Sequence, residues 1–81
     1  MRVRVKLPQL GDTTQEVLVT EWLRSVGDEV ESGTALMMVE TDKALSEVPS
    51  PVAGRLVEQL VLVDDEVSVG TYICIIESPD S

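Results

Sequence analysis

The run Val39-Glu40-Thr41-Asp42-Lys43-Ala44-Leu45-Ser46-Glu47-Val48-Pro49-Ser50-Pro51-Val52-Ala53-Gly54 decides the fold of this 81-residue chain. It holds one lysine, Lys43, in a tight turn between two stretches with the alternating pattern of β-strands. With Asp42 and Lys43 as the two turn residues, Thr41 pairs with Ala44, Val39 with Ser46 and Met37 with Val48 on one face. Glu40, Met38, Leu45 and Glu47 share the other. The first set is the better core face, and the second carries the charges.

Outward from this hairpin the chain repeats itself. Residues 26–40 (VGDEVESGTALMMVE) align with 63–77 (VDDEVSVGTYICIIE) at an offset of 37, with identities that include Asp28/Asp65, Gly33/Gly70 and Glu40/Glu77. Two copies of one supersecondary unit, joined by a hairpin with a solitary amine at its tip, suggest a scaffold that presents that amine. Strand signals run throughout, and no segment keeps a helical period for more than two turns. Strands are expected at Val3–Leu7, Val17–Arg24, Glu29-Val30, Leu36–Thr41, Ala44–Val48, Arg55–Val63, Glu66-Val67 and Tyr72–Glu77. The repeat implies a pseudo-twofold relation, four strands from each half, and two antiparallel sheets packed face to face. Gly27-Asp28, Ser32-Gly33 and Val69-Gly70 supply turn chemistry, and Pro8 and Pro49 suit strand ends. Asp64 stands where the first copy has Gly27, so it is expected to share a left-handed turn conformation.

Composition narrows the function. A domain this small buries only about 60% of its unfolded surface, so no deep enclosed active site is expected. Trp22 and Tyr72 are the aromatics and Phe is absent, so the core is aliphatic. A formal charge of −9 disfavours nucleic acid and favours basic protein partners. Without histidine, a Ser/His or Cys/His dyad is excluded, and a metal would have carboxylates and one thiol at most. No metal site is expected. Cys74, inside an apolar run, reads as a small core residue; a lone cysteine fits a reducing compartment. No apolar run approaches the ~18 residues of a membrane span. Met1 leads almost at once into a strand pattern, with no room for a signal peptide, so a cytoplasmic, bacterial setting is expected.

Taken together, Gly27-Asp28-x-Val30, Gly33 with Leu36, Glu40-Thr41-Asp42-Lys43-Ala44, then Glu47-Val48-Pro49-Ser50-Pro51 and Gly54 resemble the lipoyl domain of the acyltransferase component of 2-oxo acid dehydrogenase complexes. The resemblance covers essentially the whole chain. It implies an all-β flattened barrel-sandwich of two four-stranded sheets, termini together in one sheet and the modified lysine at the far end in the other. It further implies lipoate in amide linkage to Lys43, flanked by Asp42 and Ala44 as recognition residues for a lipoate ligase or lipoyl transferase. The implied role is a carrier, not itself an enzyme. A thiamine-diphosphate 2-oxo acid dehydrogenase would reductively acylate the arm, an acyltransferase core would pass the acyl group to coenzyme A, and dihydrolipoyl dehydrogenase would reoxidise it.

The loop Gly11-Asp12-Thr13-Thr14-Gln15 resembles the family loop that lies beside the lipoyl hairpin and helps select the dehydrogenase, and Glu40 joins it as a partner-recognition candidate. The loop departs from the usual G-E-G or G-E-S, which leaves the complex served, pyruvate or branched-chain among others, open. Glu40 and Glu47 read as solvated charges in preference to an acid/base pair, and Trp22 as half-buried packing in preference to docking. Three alternatives stand beside the lipoyl carrier. A biotinyl carrier domain typically flanks its lysine with methionines, here replaced by Asp42 and Ala44. The glycine-cleavage H-protein is longer, with helical additions. An unmodified structural sandwich would need no lysine at the tip. The domain is expected to span 1–77, with 78–81 the start of a linker, and to be a monomer in isolation.

Overall fold

The computed structural model describes residues 1–10 and 15–79. Among them lie eight strands and no helix: β1 Arg2–Lys6, β2 Glu16–Trp22, β3 Glu29–Val30, β4 Ala35–Glu40, β5 Leu45–Pro49, β6 Gly54–Gln59, β7 Glu66–Ser68 and β8 Tyr72–Glu77. They form two four-stranded sheets of order β1-β8-β6-β3 and β5-β4-β2-β7, every pairing antiparallel. The principal extents of 37 × 21 × 17 Å describe a flattened sandwich, as expected. Between the sheets lies an aliphatic core that includes Leu7, Val19, Leu36, Met37, Val39, Val48, Leu56, Ile73, Cys74 and Ile76.

The 37-residue repeat is carried into the hydrogen bonds. Gly27 N–H donates to Leu56 O at 2.7 Å, and Asp64 N–H to Val19 O at 2.7 Å. The Asp28 carboxylate accepts from Ser25 N–H at 2.8 Å, and that of Asp65 from Leu62 N–H at 2.9 Å. Gly27 has φ +100° and Asp64 φ +78°, so the left-handed conformation expected at Asp64 is present. Each half also has a bulge that skips one residue, Leu36 beside β5 and Ile73 beside β1. Strict alternation would turn one of two consecutive residues outward; the bulge lets Leu36-Met37 and Ile73-Cys74 all bury.

Two strands are shorter than the sequence pattern suggests. The apolar run Leu60-Val61-Leu62-Val63 promises a continuation of β6, but the strand ends at Gln59 and only Val61 of these four is buried. The Asp65 carboxylate turns the chain at Leu62 instead. β2 ends at Trp22, the repeat equivalent of Gln59, and not at Arg24.

The symmetry also fixes where the termini lie. Thr41 N–H donates to Ala44 O at 2.9 Å across the lysine hairpin; its equivalent is Ser78 N–H donating to Met1 O at 2.7 Å. One end of the pseudo-twofold pair is therefore a closed turn, and the other is the two chain ends. β5 runs away from the hairpin to Pro49, and a short link carries the chain to Gly54, across from Val30 in β3 and against the Glu77 backbone. The termini thus sit at the end of the sandwich away from Lys43, in the other sheet.

Candidate functional site

The β4–β5 hairpin has the register read from the sequence: Val39 opposite Ser46, Met37 opposite Val48, and Asp42-Lys43 left as the two turn residues. Val39, Met37 and Val48 are buried, which anchors the hairpin to the core, while Glu40, Leu45 and Glu47 are exposed. Asp42, Lys43 and Ala44 are all exposed. Among the described residues the Lys43 amine has no ion-pair partner; the one salt bridge, Arg55 to Glu29 at 3.8 Å, lies in the other sheet. The amine faces water on a backbone that is held in place.

Thr41 does the holding. Its Oγ1 donates to Ala44 O at 2.9 Å and accepts from Lys43 N–H at 3.2 Å and Ala44 N–H at 3.1 Å. One hydroxyl thus uses its donor and both acceptor positions on the turn, in the manner of the side-chain-to-backbone turns that Ser and Thr form. This role was not drawn from the sequence; the cue was a β-branched hydroxyl residue immediately before a two-residue turn.

A shallow groove beside the hairpin is lined by Glu16, Val17, Leu18, Glu40, Thr41 and Glu66. It brings Glu40 beside the root of the expected recognition loop. Gln15, just before Glu16, accepts from Val69 N–H at 2.9 Å. Gly11, Asp12, Thr13 and Thr14 lie outside the described residues. The repeat nonetheless marks this stretch of sequence: eleven residues lie between Leu7 and Val19, against five between their counterparts Ser50 and Leu56. The first half carries six extra residues just before the groove.

The other candidates fall where packing puts them. Trp22 is half-buried on the core and its Nε1–H donates to Val61 O at 3.1 Å, a packing role. Cys74 is fully buried, and desolvation pushes its thiol up to about 11, so it is a core residue and no nucleophile. Glu40 and Glu47 are diagonal and exposed, without the burial that tunes a general acid. No group of three or more His, Cys, Asp or Glu among the described residues is placed to hold a metal. No helix among them is long and apolar enough to cross a membrane.

Comparison with known proteins agrees with the geometry. The sequence model of the biotin–lipoyl family, described as "Biotin-requiring enzyme", matches residues 3–76. A dihydrolipoyllysine-residue acetyltransferase component of the pyruvate dehydrogenase complex of Corynebacterium glutamicum is 46% identical over 80 residues, covering 99% of this chain and 12% of the relative. A dihydrolipoyllysine-residue succinyltransferase component of the 2-oxoglutarate dehydrogenase complex of Staphylococcus saprophyticus is 43% identical over 72 residues, 89% of this chain and 17% of that protein. The chain therefore spans less than a fifth of the length of these relatives. The solved lipoyl domain of the 2-oxoglutarate dehydrogenase complex of Azotobacter vinelandii superposes with a TM-score of 0.72 at 22% identity, over 94% of this chain and 96% of that one, and shows the shared fold.

Proposed function

Because the chain belongs to the biotin–lipoyl family, we propose that it is a lipoyl carrier domain, with lipoate in amide linkage to Lys43 and no catalytic centre of its own. The observation that carries this is Lys43 itself: an exposed amine, without an ion-pair partner among the described residues, at a two-residue turn fixed by Thr41 and set at the end of the sandwich away from Met1 and Ser78. The fit to such a group is direct, since an amine exposed to water, with no ion pair to break among the described residues, is free to be acylated. When bound, lipoate supplies a dithiolane that accepts an acyl group and two electrons together.

The chain's own residues position that arm. The buried foot of the hairpin, Val39 with Met37 and Val48, gives it a rigid base. Thr41 fixes the turn, and Asp42 and Ala44 flank the amine for the enzyme that modifies it. Amidation removes one positive charge from a domain at −9 and leaves the tip uniformly acidic. Glu40 and the segment Gly11, Asp12, Thr13, Thr14 and Gln15 contribute to the choice of dehydrogenase. On this reading the partners are the decarboxylating 2-oxo acid dehydrogenase, the acyltransferase core, dihydrolipoyl dehydrogenase and the lipoylating enzyme, in the bacterial cytoplasm. The domain ends at Glu77, and residues 78–81 begin a linker. Tethering through such a linker holds the arm near successive active sites at roughly millimolar effective concentration.

Intact mass after co-expression with a lipoate-attaching enzyme tests the proposal. One lipoyl adduct is expected on the wild-type domain and none on Lys43→Arg, whose melting should be unchanged because surface substitutions stay within about 0.5 kcal/mol. A biotinyl adduct, no adduct, or modification at Lys6 would overturn it.

A further inference from the structure

Leu45 is 61% exposed at the start of β5, two residues from Lys43. Of the large apolar residues exposed among those described, it alone belongs to the lysine hairpin. The fold contains its own control for this position. Leu45 lies directly opposite Glu40, and at the repeat-equivalent place in the other sheet Arg2 lies directly opposite Glu77. Both positions start an edge strand, both face water, and both partners are glutamates in register. At the terminal end the fold places a cation against its glutamate, a favourable cross-strand pair on an edge that repels further strands. At the lysine end that place holds an aliphatic side chain. Strand pairing does not require the difference, since the same geometry is satisfied by arginine.

The hairpin's exposed carboxylates, Glu40, Asp42 and Glu47, stand around Leu45, with Lys43, the residue proposed to be modified, as the one cation of the hairpin. One apolar knob ringed by carboxylates complements an apolar recess with a basic rim. We propose that Leu45 is a specificity-determining contact of the carrier: it seats in such a recess beside the active-site entrance of the decarboxylating dehydrogenase while the Lys43 arm is inside. This rests on the carrier function proposed above. Magnitude favours that partner over the modifying enzyme, which acts once per molecule. Burying one leucine is worth about tenfold or somewhat more in affinity, enough to select a partner yet weak enough for release in every cycle of a tethered domain.

The test separates the two proposals. The unmodified domain is titrated into the purified pyruvate and 2-oxoglutarate dehydrogenase components of the source organism, and lipoylation is followed separately by intact mass. Leu45→Gln removes the apolar contact without changing charge; Leu45→Met keeps it. We expect Leu45→Gln to weaken binding to the cognate component about tenfold, Leu45→Met to change it less than about threefold, and both to be lipoylated at the wild-type rate with unchanged melting. Equal affinity of wild type and Leu45→Gln, a matching loss in Leu45→Met, or slowed lipoylation of Leu45→Gln would overturn the role of Leu45 while leaving the carrier function standing. A wild-type domain that binds neither component overturns it too. Failure of wild-type lipoylation would instead count against the carrier function on which it rests.

Discussion

Replacing Thr41 by Val isolates the turn from the rest of the hairpin. Valine keeps the β-branched shape and the strand preference, and removes only the hydroxyl. Three hydrogen bonds are lost, to Ala44 O, from Lys43 N–H and from Ala44 N–H. All three lie at an exposed tip, so the freed backbone groups turn to water and no buried polar atom is stranded. The net loss is therefore that of an ordinary exchange with solvent, about 1 kcal/mol in total and not per bond. For a domain of this size that lowers the melting temperature by roughly 4–8 °C. The backbone bond from Thr41 N–H to Ala44 O remains, so the hairpin should persist with a looser tip. Hydrogen exchange at Lys43 and Ala44 should quicken while Val39 and Val48 keep their protection. Lipoylation, which needs the amine in one place, should slow by more than the change in melting suggests, and Thr41→Ser should restore it. Wild-type lipoylation of Thr41→Val, or a Thr41→Ser variant as slow as the valine, would refute the view that this hydroxyl positions Lys43.

Two further outcomes test the scaffold. Asp64→Gly removes a non-glycine residue from φ +78°, a relief of about 1–2 kcal/mol, against about 0.4–1 kcal/mol for the freer unfolded chain, so a net gain near 0.5 kcal/mol is expected in denaturant melts. A destabilised variant would show that the two turns are not equivalent in energy. Gly54→Ala should do the opposite, because a Cβ there meets the Glu77 carbonyl oxygen and lies 2.8 Å from Ile76 Cγ2. A loss of about 1–3 kcal/mol is expected from this overpacking, and unchanged melting would show that β6 can shift away from β8.

Much of this is legible in the sequence, and for a physical reason. A two-sided strand with one buried face must alternate, so Met37, Val39 and Val48 announced both their strands and their register. The repeat then supplied the second sheet and, through the Gly27 position, the backbone conformation of Asp64. Legibility failed where a side chain acts on backbone out of sequence pattern. The Asp65 carboxylate ends β6 early despite the apolar run that follows, and nothing in Leu60-Val61-Leu62-Val63 reveals it. The burial of both Leu36 and Met37 depends on a bulge, and alternation alone assigns one of them to water. At the site, the motif around Lys43 located the amine, but the role of Thr41 needed three distances to become visible.

The symmetry also bears on how the two ends of a small domain differ. The carrier role proposed above calls for a rigid mount at the amine and leaves the opposite end free of that demand. In a pseudo-twofold sandwich the two ends have the same construction, so the same backbone bond that closes the turn at Thr41 and Ala44 holds the chain ends together at Ser78 and Met1. One copy is covalently continuous and carries Lys43; its counterpart joins β1 and β8, which are not consecutive in the chain. Lys43 therefore lies at the end of the sandwich away from Met1 and Ser78. Two of the differences between the copies bear on the lysine half: Leu45 stands in place of an arginine, and six extra residues lie between Leu7 and Val19. Core packing demands neither, and the exposed Leu45 changes the face that the hairpin presents beside Lys43.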